Sequence, residues 1–197
     1  PAFVVGTLGR IASERAWRLR ERWLARASKL TEDYEAARSA AKSVTGLDDD
    51  RAWTIREATR RAAPVATLAS LSHLVDERSF AIRKRMLSTA PKIVMETLRG
   101  VDDARAWELR RAVAAECKEA LDGMQGLDGP DAWMLREEHA GRWPSTAVKS
   151  LGPLADGARG RALVERALGE KRASLSLLKH LTSIALGNHL IHGAAPK

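Results

Sequence analysis

A single cysteine among 197 residues rules out an intrachain disulfide, and a reducing compartment such as the cytoplasm is the simplest setting for the chain. Aromatic residues make up only 5%, with six Trp, one Tyr and two Phe. β-branched runs are scarce while Ala, Leu, Arg and Glu abound, which argues against strands and for helix throughout. No long apolar run occurs. The greasiest stretch, 175–191, is broken by Lys179, His180, Asn188 and His189, so it reads as a buried helix and no membrane contact is expected. The opening residues show no charged and apolar signal pattern.

Site chemistry is equally sparse. No G-x-x-x-x-G-K-[S/T] loop exists; Gly6-Thr7-Leu8-Gly9-Arg10 lacks both the spacing and the lysine. Of His73, His139, His180, His189 and His192, only His189 and His192 share a helical-turn spacing, and a metal would need a third ligand. Cys117 lies in an alanine-rich helix and reads as an inert buried thiol. No Ser/His/Asp or Cys/His constellation has a local signature, so no catalytic residue, metal or cofactor is assigned and the chain reads as non-enzymatic.

What the chain has is repetition. Arg15-Ala16-Trp17-Arg18-Leu19-Arg20 returns at Arg51–Arg56, Arg78–Arg83, Arg105–Arg110 and Asp131–Arg136. The aromatics Trp53, Phe80, Trp107 and Trp133 stand 27, 27 and 26 residues apart, and Trp17 precedes Trp53 by 36. A short polar residue four before the aromatic (Ser13, Asp49, Asp76, Asp103) can cap a first helix of about ten residues. At the fifth such start Gly129 takes that slot, with Pro130 in the first turn. Eleven residues after the aromatic comes Pro64, Pro91 or Pro144, with Lys118 as the exception, where a second helix starts. A turn often holding Gly (Gly46, Gly100, Gly126) closes the unit.

These spacings predict an all-α, right-handed α-solenoid of helical hairpins with a period of about 27 residues, in which each unit buries its apolar face against the next. The expected divisions are 1–12 as the second helix of a truncated repeat, 13–45 as a repeat with an insertion, 46–71, 72–98, 99–124 and 125–151 as repeats, and 152–197 as a divergent cap. The nine extra residues between Trp17 and Trp53 are expected to lengthen a helix over 31–44, capped by Thr31. A chain that enters mid-repeat, without an initiator Met, reads as a piece of a longer array.

The unit resembles HEAT-type α-solenoid repeats. The segments Gly46–Arg56 and Pro64–Leu71 are also similar to the degenerate helical repeats of long thymidylate-kinase-like proteins of myxobacteria. The resemblance implies a bacterial, appended repeat region and not the kinase, and it carries no catalytic residue over.

Two sets of arginines are candidate partner contacts. Arg56, Arg83, Arg110 and Arg136, with Arg20, each stand three residues past an aromatic. They are either a structural ladder to Asp caps and helix-end carbonyls, or a row of anion binders. Arg15, Arg18, Arg22 and Arg26 share a face of the first helix. The net charge of +8 is concentrated at the ends: +5 over 1–30, −3 over 31–140 and +6 over 141–197. The function expected is a scaffold that binds a protein partner or another domain of the parent chain. Nucleic-acid binding through the basic end helices is the alternative. The aromatic column is expected to be core.

Overall fold

The computed structural model describes residues 7–24 and 33–169. It is all-helical, with no strand among the described residues. The chain divides into two compact units, Pro1–Val101 and Asp102–Lys197.

The first unit holds α1 (Glu14–Leu24), α2 (Tyr34–Ser43), α3 (Asp50–Thr59), α4 (Pro64–Ala69), α5 (Glu77–Met86) and α6 (Pro91–Thr97). Caps begin its longer helices. The Asp49 carboxylate accepts from the Ala52 N–H at 2.8 Å, and Asp76 accepts from Ser79 N–H at 3.0 Å. Ser13 Oγ accepts from Ala16 N–H at 3.3 Å. Each contact satisfies one amide that has no partner inside the helix. The short helices α4 and α6 begin on Pro64 and Pro91. The residues before them, Ala63 and Ala90, share φ of −132° and −144° with ψ of 62° and 52°, outside the helical region, as the proline ring requires. α2, α4 and α6 lie side by side, each next to its predecessor.

The inserted segment differs from expectation. α2 begins at Tyr34, and its cap is Asp33, which accepts from Glu35 N–H at 3.0 Å and Ala36 N–H at 3.1 Å. A carboxylate satisfies two amides here and adds charge complementarity to the helix dipole, which a threonine cannot supply. Thr31 lies outside the described residues.

The second unit holds α7 (Ala104–Val113), α8 (Glu119–Asp122), α9 (Pro130–His139), α10 (Pro144–Leu151), a 3₁₀ turn (Gly152–Asp156) and α11 (Ala158–Gly169). α8 has four residues, the shortest of the set, and it is the one whose start carries Lys118 in place of proline. Gly160 occupies the place where the 27-residue spacing puts an aromatic. A Cβ there would sit 2.1 Å from the Leu154 carbonyl oxygen and 2.9 Å from Ala155 Cα, so backbone fills the aromatic's space. Leu163, three residues on, stands where the other units carry arginine, and it packs with Trp133, Ala140, Ala147 and Leu151. The stretch 175–191, expected as a buried helix, lies outside the described residues.

The turns carry one backbone device. Among the described residues, positive φ occurs at Arg10 (65°), Gly46 (72°), His73 (71°), Gly100 (70°) and Gly126 (77°), and, with an extended ψ of −127°, at Gly152 (54°). His73 and Arg10 thus take a left-handed conformation that costs a side-chain-bearing residue about 1–2 kcal/mol.

Candidate functional site

The arginine three residues after each aromatic is buried: Arg20, Arg56, Arg83 and Arg136 are 0% exposed and Arg110 is 1% exposed. Arg56, Arg83 and Arg136 are held on matching partners. Arg83 donates from Nη2 to the Leu71 carbonyl (2.9 Å), from Nη1 to the Leu74 carbonyl (2.9 Å), and from Nε to Thr97 Oγ1 (3.0 Å). Arg136 repeats this on Met124 (3.0 Å), Leu127 (2.8 Å) and Ser150 Oγ (2.9 Å). Arg56 reaches the matching partners with a different use of its fork, donating from Nη2 to both the Val44 (2.8 Å) and Leu47 (2.7 Å) carbonyls and from Nε to Ser70 Oγ (3.1 Å). In these three the partners are 12 and 9 residues before the arginine and 14 after it. Arg20 reaches Leu8 and Ile11 at the same two offsets, but its Nε donates to the Ser43 carbonyl, 23 residues on. The nine extra residues of that unit therefore lie between Arg20 and Ser43.

Each of these arginines thus ties the turn before its helix to the next helix. Of the two sequence readings, the row of anion binders needs exposed guanidiniums, and Arg56, Arg83, Arg110 and Arg136 have none to offer. For Arg20, Arg56, Arg83 and Arg136 the partners are turn and helix-end carbonyls and hydroxyls, not Asp caps. The nearby aspartates are engaged otherwise: Asp48, Asp102 and Asp128 accept from the indole N–H of Trp53, Trp107 and Trp133 at 2.9, 2.8 and 2.7 Å. Burial lowers the pKa of Arg56, Arg83, Arg110 and Arg136 to about 10, opposed at Arg56 mainly by Asp48 and at Arg136 by Asp128, so all four remain cations at neutral pH. Each guanidinium also lies over its own aromatic, from 4.4 Å at Trp107 to 5.2 Å at Phe80 and Trp133.

The other end of the signature, the residue two before the aromatic, is where sequence reasoning saw nothing. There the chain makes exposed ion pairs between successive first helices. Arg51 meets Glu14 (3.3 Å) and Glu21 (3.6 Å), and Arg78 meets Asp50 (2.7 Å). In the second unit the signs are exchanged: Asp131 stands in the arginine's place and takes Arg111 at 2.5 Å. That exchange, Arg111 with Asp131, was a readable signal once the two slots were aligned.

Arg15, Arg18 and Arg22 are exposed on α1, and no ion pair joins any of them to another described residue. At positions i, i+3 and i+7 they form a stripe about 10 Å long. Arg26 lies outside the described residues.

An open cleft of about 650 Å³ lies between α3 and α5, lined by Asp50, Trp53, Thr54, Glu57, Arg78, Ala81 and Arg85. Cys117 is buried beside Glu119, and burial, then the Glu119 hydrogen bond, raise its pKa. No cluster of three metal-ligating side chains occurs among the described residues; His180, His189 and His192 lie outside them. No helix among the described residues is long and apolar enough to cross a membrane. No protein-family model matches the chain, and neither does any curated protein or any solved structure.

Proposed function

We propose that the chain is a non-catalytic interaction module. It would be a right-handed α-solenoid of HEAT-like hairpins, with a period of about 27 residues, that offers an extended surface to a protein partner or to another domain of its own polypeptide in the cytoplasm. The observation that carries this reading is where the signature's chemistry goes. Its arginines and tryptophans are consumed in joining turns to helices, and Arg15, Arg18 and Arg22 remain as an exposed stripe without ion pairs among the described residues. The side-by-side order of α2, α4 and α6 and the recurring positive-φ turns support stacking of like units.

The test is capture of binding partners by the wild-type chain beside a variant carrying Arg15→Glu, Arg18→Glu and Arg22→Glu. A partner held by the first and released by the second, with saturable binding once purified, supports the reading. Failure to obtain any saturable partner rejects it.

The same stripe favours one alternative, contact with nucleic acid. Three neutralised phosphates of duplex DNA give a slope of about −2.7 in log affinity against log salt. Absence of DNA and RNA binding at low ionic strength eliminates it.

A further inference from the structure

The face of α1 that carries the unpaired arginines also leaves an aliphatic side chain in water. Leu19 stands two residues past Trp17. At that position in the other units Ile55 is 6% exposed, Ile82 1%, Leu109 4% and Leu135 1%, whereas Leu19 is 40% exposed. Arg18, Arg22, Arg15 and Leu19 follow one another around α1, in that order, within an arc of about 100°. Trp23, one turn after Leu19 and next around the helix, is half-buried and packs against the core that holds Trp17. No acidic residue lies in that arc, because the two glutamates of α1, Glu14 and Glu21, face Arg51 at 3.3 and 3.6 Å. The chain itself shows how such a face is covered. Ile55, the counterpart of Leu19, shares one core cluster with Ala40 and Val44 of the adjacent helix α2. Arg51, the counterpart of Arg15, takes its carboxylates from a helix as well. Arg15 has no ion pair among the described residues, and Leu19 stays open.

We propose that this face of α1 docks an acidic amphipathic helix of a partner protein, whose aliphatic side chains cover Leu19 beside Trp23 and whose carboxylates pair with Arg15, Arg18 and Arg22. The proposal rests on the interaction-module reading and names the partner's chemistry. Three exposed arginines with no acid among them call for carboxylates. The leucine set beside them calls for apolar contact on the same side, and a helix presents both kinds of residue together at spacings of three and four. Phosphates alone would leave Leu19 uncovered. One leucine and a half-buried indole are also too little apolar surface to enter a membrane.

The test is an NMR titration of the whole chain with a synthetic peptide of about 20 residues, built of Ala, Leu and Glu so that Leu and Glu share one helical face at spacings of three and four. The reporter is the Trp23 indole N–H. The expected result is a saturable shift with a dissociation constant on the order of 100 μM. Leu19→Ala leaves every charge in place and should weaken binding by at least about fivefold. A peptide with Gln for every Glu should bind at least about tenfold more weakly. Circular dichroism checks that Leu19→Ala keeps the fold, as an exposed position should. No saturable shift, an unchanged affinity in Leu19→Ala, or equal binding of the Gln peptide overturns the proposal. Duplex DNA that binds more tightly than the peptide and is indifferent to Leu19→Ala overturns it in favour of phosphates. Self-association in sedimentation that Leu19→Ala abolishes overturns it in favour of a second copy of the chain. In the capture experiment, a partner released by the triple arginine variant but held undiminished by Leu19→Ala leaves the module reading intact and rejects the docked helix alone. Absence of any saturable partner there rejects the module reading, and the docked helix with it.

Discussion

Replacing Arg83 by lysine keeps the charge and most of the stem but removes the fork, so it isolates what the geometry contributes. In the native unit Arg83 makes four bonds of 3.0 Å or less: to the Leu71 and Leu74 carbonyls, Ser79 Oγ and Thr97 Oγ1. A lysine has one nitrogen with three donors and no counterpart of Nε. The Leu71 and Leu74 carbonyls are served by different Nη atoms, so a single ammonium retains about two of the four bonds. Hydrogen bonds from charged donors contribute about 1.5 kcal/mol each at the low end. The expected loss is about 3 kcal/mol. In a unit of about 100 residues that is roughly 12–24 °C in melting temperature. Urea titration and thermal circular dichroism read it directly. Arg85→Lys, at an exposed ion pair two residues along, is the control and should change stability by less than about 0.5 kcal/mol. If Arg83→Lys stays within 0.5 kcal/mol of wild type, roughly the control's range, then charge alone suffices and the view of the fork as a tie between turn and helix is wrong.

Three single positions give further expected outcomes. His73→Gly relieves the left-handed strain at φ 71°, partly offset by the greater freedom of glycine in the unfolded chain, and should stabilise by about 0.5–1 kcal/mol in urea titration. A destabilised variant would mean that the imidazole makes a contact worth more than the strain. Ala52→Ser should place a hydroxyl against Arg56 Nη1, which is buried without a partner, as Ser79 Oγ does for Arg83 Nη1 at 2.9 Å. The expected gain is about 1 kcal/mol, and an unchanged melting temperature would show that Nη1 is already satisfied by water. Gly160→Ala drives a methyl into the Leu154 carbonyl and should destabilise α11 by at least about 2 kcal/mol, seen as faster amide hydrogen exchange over 158–169; unaltered exchange there would refute the close approach.

The helix starts were legible because they are decided within four residues. Asp49, Asp76 and Asp103 cap the helices after them whatever the rest of the chain does, and Pro64, Pro91 and Pro144 begin helices for an equally local reason. Competition between neighbours was not legible: Thr31 and Asp33 both suit a helix start, and the choice falls to the residue that satisfies two amides. The left-handed turn at His73 was hidden because glycine was the cue, although position alone, 27 residues from both Gly46 and Gly100, pointed to it. For the arginine column, the choice between ladder and exposed row depends on burial. Carbonyls at offsets of 12 and 9 leave no trace in side-chain identity, since every residue type has one.

The two ends of the signature therefore answer to different physics, and this decides where specificity can reside. The last arginine is buried, with donors matched to main-chain carbonyls. Changing it removes several buried charge-assisted bonds at once, so that position has little freedom to encode a partner. The first position makes solvated pairs worth about 0–1 kcal/mol each. The exchange of signs at Arg111 and Asp131 shows that one chain uses both polarities there. Such a position can vary in charge at little loss of stability. The outer positions around α1, α3 and α5 are accordingly where a partner's chemistry can be read, because the pairs they make are solvated and replaceable.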